Sequence, residues 1–92
     1  MRHAIPLGKV VVTPCAREEL AQNDQDPMWY VCRHARGEWG SALTPDEMEA
    51  NDVAVEHGGR LLSAYYYRRW EPVWVITEAD RSRTTVLLPE EY

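Results

Sequence analysis

Ninety-two residues make one domain, with no room for a second core. With 45% apolar and 27% charged residues the composition is globular rather than disordered, and a net charge of −5 argues against simple electrostatic capture of nucleic acid. No apolar run reaches the roughly 20 residues of a membrane span, and Met1 to Pro6 holds no signal-peptide core, so a cytoplasmic protein with Cys15 and Cys32 as reduced thiols is expected.

Residues 1–8 read as a flexible or edge segment, and Lys9-Val10-Val11-Val12 as an edge strand. Three dipeptides, Thr13-Pro14, Asp26-Pro27 and Thr44-Pro45, then pair a capping oxygen with a proline at the first helical position. They predict helices from Pro14 to about Gln22, from Pro27 to about Arg36, and from Pro45 to His57. Thr44-Pro45-Asp46-Glu47 is a capping box, and Gly58-Gly59 is the stop. In the second helix Met28, Val31, Cys32 and Ala35 fall at core spacing, with Trp29/Arg33 and Tyr30/His34 as i, i+4 pairs on a polar edge.

After Gly59 the period changes. Arg60 to Arg68, Val73 to Thr77 and Thr84 to Leu88 read as strands of an antiparallel meander, turning at Trp70-Glu71-Pro72 and between Glu78 and Arg83. The second of these turns reads as a solvated connection, with Asp80 capping the backbone and Arg81 paired to Glu78 or Asp80. The expected architecture is α+β: two or three short helices on one face of a mostly antiparallel sheet of three to four strands.

Charge is sorted along the chain. From Glu38 to Glu56 there are six acids and no Lys or Arg, whereas from Arg60 to Arg83 there are five Arg against three acids. Nine of the ten basic residues are arginine, whose planar fork suits carboxylates, phosphates and aromatic faces. The spacing C-x16-C-x-H-x22-H matches no zinc pattern, and neither a G-x-S-x-G elbow nor a Gly-rich phosphate loop is present. No metal and no cofactor are therefore expected.

Two functional readings follow. The first is a small non-catalytic binding protein, a regulator or inhibitor of a host protein complex. Its contact surface would be Tyr66, Tyr67, Arg68, Arg69 and Trp70 with Arg81, because Tyr, Trp and Arg dominate binding hot spots. The acidic helix would steer it toward a basic partner. The alternative is a metal-independent endoribonuclease acting on RNA. His34 would be its acid/base, surrounded by Tyr65 or Tyr67, Arg68, Arg81, Thr84 and Thr85. Helices followed by a short antiparallel sheet resemble the ribonuclease toxins of the barnase, colicin and messenger-interferase type, although the acidic balance departs from their usual positive charge. The run from Trp74 to Tyr92, with His34 to Gly40 and Leu62 to Tyr65, resembles a group of small proteins encoded on bacterial chromosomes and plasmids. The resemblance attaches no activity, and the chain departs from it where Tyr66 to Pro72 replaces a more polar hairpin. With the small size and the charge, a mobile-element setting makes counter-defence of the anti-restriction or anti-CRISPR type fit the binding reading.

Overall fold

The computed structural model describes residues 5–92, and in it each of the three dipeptides opens a helix. Helix α1 (Pro14–Gln22) begins where the Thr13 hydroxyl accepts from the Ala16 amide at 3.2 Å. Helix α2 (Pro27–Ala35) begins with the Asp26 carboxylate accepting from the Met28 amide at 2.9 Å. Helix α3 (Pro45–His57) has the complete box: the Glu47 amide donates to the Thr44 hydroxyl at 3.2 Å, and the Thr44 amide donates back to the Glu47 carboxylate at 2.8 Å.

Four strands form one mixed sheet: β1 (Lys9–Val12), β2 (Leu61–Arg68), β3 (Glu71–Thr77) and β4 (Arg83–Leu87), in the order β1-β4-β3-β2. The last three are an antiparallel meander, and β1 adds to β4 in parallel at the outer edge. Strand alternation sends Leu61, Ser63 and Tyr65, opposite Thr77, Val75 and Val73, to one face, where Thr84 and Val86 of β4 join them. Ala16 and Leu20 of α1 and Tyr30 and Val31 of α2 pack on that face to make the main core. A second cluster joins Trp39 and Leu43 of the 36–44 loop and Ala54 of α3 to Leu61 and Ala64, with Met48, Leu62 and Trp74 against it.

The free edge of β2 is closed rather than left to solvent. The Asn51 carboxamide on α3 donates to the Leu62 carbonyl at 2.6 Å and accepts the Leu62 amide at 2.9 Å. Two residues along, the Ala64 amide donates to the Trp39 carbonyl at 3.0 Å and the Ala64 carbonyl accepts from Ala42 at 3.2 Å. These contacts occupy the groups that would otherwise recruit another strand. Between them the loop passes so close that a Cβ on Gly40 would lie 2.1 Å from the Ala64 carbonyl oxygen, and its φ of +91° also suits only glycine.

One expectation is narrowed and three change. Of the two readings of the N-terminal segment, residues 5–8 fit the edge one and not the flexible one: Ile5 is buried, its amide donates to the Ala35 carbonyl at 2.9 Å, and the Leu7 carbonyl accepts from Thr84 at 2.7 Å. The expectation for Met1 to Ala4 lies outside the described residues. In α2 the buried positions are Tyr30, Val31 and His34, while Met28 and Cys32 face solvent. The helix is rolled because Ser63 and Thr77 give a histidine polar partners that Met28 or Cys32 could not use. Consequently Arg33 does not stack on Trp29; its guanidinium lies over the Tyr65 ring at 4.6 Å. The hairpin turns at Arg69-Trp70, one position earlier than expected, and Pro72 sits inside β3 opposite Tyr66. The Leu62 and Ala64 amides point away from β3, so the Tyr66–Pro72 pair has the same non-hydrogen-bonded parity, and the missing proline N–H costs nothing there.

Candidate partner-binding site at the hairpin tip

His34 is fully buried at the end of a row of hydroxyls that crosses the sheet. Its Nδ1 lies 2.5 Å from the Ser63 hydroxyl on β2, and its Nε2 lies 2.8 Å from the Thr77 hydroxyl on β3. The row continues from Thr77 to Thr84 at 2.7 Å and from Thr84 to the Leu7 carbonyl at 2.7 Å. That carbonyl can only accept, which fixes every proton upstream. Thr84 donates to Leu7, Thr77 donates to Thr84, and Thr77 must therefore receive from Nε2–H of His34. Nδ1 is left bare and accepts from Ser63. One neutral tautomer satisfies the whole row, and burial together with the nearby Arg81 charge lowers the His34 pKa from 6.5 to about 4.

Ser63 donating to a histidine that is itself oriented by Thr77 has the wiring of an activated nucleophile. Ser63, His34, Thr77 and Thr84 all have no exposed surface, however, so no substrate reaches them. Of the other nuclease candidates Thr84 and Arg81 lie near His34, but Tyr65, Thr85 and Arg68 are directed elsewhere. The Tyr65 hydroxyl donates to the Glu38 carbonyl at 2.5 Å, and burial pushes its pKa up to about 12. Thr85 points to the opposite face from Thr84, as alternation requires, and Arg68 stands at the far end of the hairpin. An acid and a base poised near neutrality are missing from this set. Among the described residues, no group of three or more His, Cys, Asp or Glu side chains is arranged to hold a metal ion. None of the described helices is long and apolar enough to cross a membrane.

Arg81 ties down the β3–β4 turn as expected, though through main-chain carbonyls and not through the Glu78 or Asp80 carboxylate, and it belongs to neither the contact surface nor an open active site. Its guanidinium donates to the carbonyls of Gly59 at 2.6 Å, Ala54 at 3.0 Å, Glu78 at 3.2 Å and Ala79 at 3.3 Å. It thus shares the Ala54 carbonyl with the Gly58 amide and ties the C-terminal end of α3 to the β3–β4 turn, a favourable place for a cation near the negative end of a helix. Asp80 does cap the turn, accepting from the Ser82 amide at 2.9 Å. Tyr67 is likewise removed from the contact surface: it faces the main core, and its hydroxyl donates to Glu19 at 3.3 Å.

The remaining tip residues do stand together in solvent. Trp70 is 72% exposed and Tyr66 is 40% exposed, and their rings meet edge to face at 5.6 Å. Arg68 and Arg69 are exposed as well, and the four side chains line an open groove of about 230 Å³. Arg68 is held only by Glu71 at 3.9 Å, and Arg69 makes no hydrogen bond or ion pair among the described residues. The turn that presents them has Trp70 at φ +60°, beside a register irregularity between Tyr66 and Arg68. Glycine or asparagine usually fills such a left-handed hairpin position, where a bulky side chain costs roughly 1–2 kcal/mol.

The aromatic surface continues past the tip. Tyr66, Pro72, Trp74 and Thr85 share the face turned away from His34. Tyr92 folds across that face to meet Trp74 at 5.6 Å, and Arg60 lies over the Tyr92 ring at 5.1 Å while donating to its hydroxyl. Sequence reasoning missed Trp74, Tyr92 and Arg60; counting faces from Tyr66 across the meander was the available signal for Trp74. Comparison with family models, with curated proteins and with solved structures found no match.

Proposed function

We propose that this chain is a non-catalytic binding protein whose contact surface is the β2–β3 hairpin tip: Tyr66, Arg68, Arg69 and Trp70. The supporting observation is Trp70. It occupies a strained left-handed turn position while almost three quarters of its surface faces water. A residue costly in both backbone and solvent terms, with only an edge contact to Tyr66 in return, has its use outside the fold. Trp, Tyr and Arg together are the composition of interface anchors. Regulation or inhibition of a host protein complex, including counter-defence by a mobile element, is the role such a surface serves under this reading. The exposed acids of α3, Asp46, Glu49, Asp52 and Glu56 among them, supply a steering field for a basic region of the same complex.

Capture of a protein partner from the native host, followed by titration of the purified pair, tests the reading. Trp70→Ala is expected to weaken the complex by about 2 kcal/mol or more, the range of a buried interface anchor. A complex that forms with unchanged affinity in this variant contradicts it.

A further inference from the structure

The charge at the tip narrows the chemistry of what it takes, an inference that rests on the binding reading above. The molecule carries a net charge of −5, yet its hairpin tip presents two adjacent guanidinium groups. The acids that dominate the total are sorted elsewhere. Asp46, Glu47, Glu49, Asp52 and Glu56 lie on α3, beside the edge of β2 where Asn51 binds Leu62. At the tip the nearest opposite charge is Glu71, 3.9 Å from Arg68 and beyond good hydrogen-bond distance, while Arg69 has no partner among the described residues. Of the other exposed arginines, Arg36 is engaged at 2.8 Å by Glu38, Arg33 lies over the Tyr65 ring and Arg60 over the Tyr92 ring. Arg17 and Arg83 make no ion pair among the described residues but have no exposed aromatic pair beside them. One loosely paired and one unpaired guanidinium therefore share an open groove with the edge-to-face Tyr66–Trp70 pair.

We propose that the tip receives an acidic segment of a protein partner. Its carboxylates would pair with Arg68 and Arg69, and an adjacent apolar side chain would lie against Trp70 and Tyr66. Arginine binds a carboxylate through two parallel hydrogen bonds, and the aromatic wall excludes water beside that pair, which strengthens it. Nucleic acid offers the same sign of charge, but its affinity comes from a long track of phosphate contacts. Here the positive patch is two residues wide in an acidic molecule, too short for such a track. A discrete carboxylate-bearing segment matches its extent.

The test pans a random-sequence peptide display library over the immobilised full chain, with a random single-stranded oligonucleotide pool in a parallel arm. Two variants serve as comparisons: Trp70→Gly, whose left-handed turn suits glycine, and the double variant Arg68→Gln, Arg69→Gln. Recovered peptides are expected to be enriched in Asp and Glu next to an apolar residue. Their binding should fall about tenfold or more on each variant and weaken further in raised salt, as expected for exposed charge pairs. Neutral or basic peptides that still require Trp70 would overturn the acidic class while leaving the tip as the site. Peptides indifferent to both variants would overturn the tip itself. Tip-dependent recovery of oligonucleotides instead of peptides would make the ligand nucleic acid, and an empty peptide selection would count against the proposal as well.

Discussion

Taking the solution from about pH 7.5 to about pH 5 is expected to destabilise the fold by about 2 kcal/mol through His34 alone. The imidazole has a pKa of 6.5 when solvated and about 4 in the folded chain, so the folded state binds its proton less readily than the unfolded state. Stability from this group is complete above pH 6.5 and is lost as pH falls from there toward 4, about 3 kcal/mol over the whole window. The cause is geometric as well as dielectric: a proton on Nδ1 would meet a Ser63 hydroxyl already aimed at that nitrogen, in a site without water access and near Arg81. The carboxylates whose pKa values are lowered, Glu38, Asp80 and Glu91, stabilise the fold above their ordinary values of 4.5, 3.8 and 4.5 and lose that contribution only as pH falls below them, which leaves the upper part of the window to His34. Urea midpoints at the two pH values measure the effect. His34→Gln should start less stable and show a much smaller pH slope. Equal slopes in the two proteins would mean that His34 does not carry it.

Removing the carboxamide that closes the edge of β2 is the second large perturbation. Asn51 is 4% exposed, and its side chain serves both the N–H and the C=O of Leu62. Asn51→Ala leaves two backbone groups facing a space that alanine cannot fill with polar atoms. Each partly buried orphan costs about 1–3 kcal/mol, so a loss of about 3 kcal/mol is expected after some rehydration. The variant also reopens a strand edge and should aggregate at lower concentration than the wild type. Chemical denaturation and light scattering read the two effects. A midpoint shift worth under about 1 kcal/mol would show that α3 is held to β2 by its apolar contacts alone.

The order and nearly all the bounds of the elements were legible because their signals are local. Proline with a capping oxygen set the three helix starts, Gly58 ended α3, and the switch to β-branched and aromatic residues after Gly59 marked the strands. What failed was rotation. Two stripes of α2 were consistent with helical spacing, and the apolar one containing Met28 and Cys32 was the natural choice on hydrophobicity. The choice was decided by Ser63 and Thr77, hydroxyls from two strands that meet His34 only after the sheet is assembled, with Thr84 of a third strand behind Thr77. Arg81 was legible only as a residue that ties down its turn. Its partners are main-chain carbonyls of α3 and the turn, and side-chain identities do not disclose them. The tip was half legible: alternation required Tyr66 to oppose Tyr65 and Tyr67, but which face was the open one depended on where α1 and α2 dock.

Under the proposed function Trp70 is kept for a partner and not for the fold, and one substitution separates those roles. Trp70→Gly places at φ +60° the residue that conformation favours, relieving roughly 1 kcal/mol of backbone strain while deleting the exposed indole. Part of that gain is offset by glycine's greater freedom in the unfolded chain. Denaturation midpoint and partner affinity are to be measured on the same purified variant. The expected result is a midpoint equal to or above that of the wild type, together with binding weakened by about 2 kcal/mol or more. A destabilised protein that still binds its partner normally would place Trp70 in the fold and contradict the account.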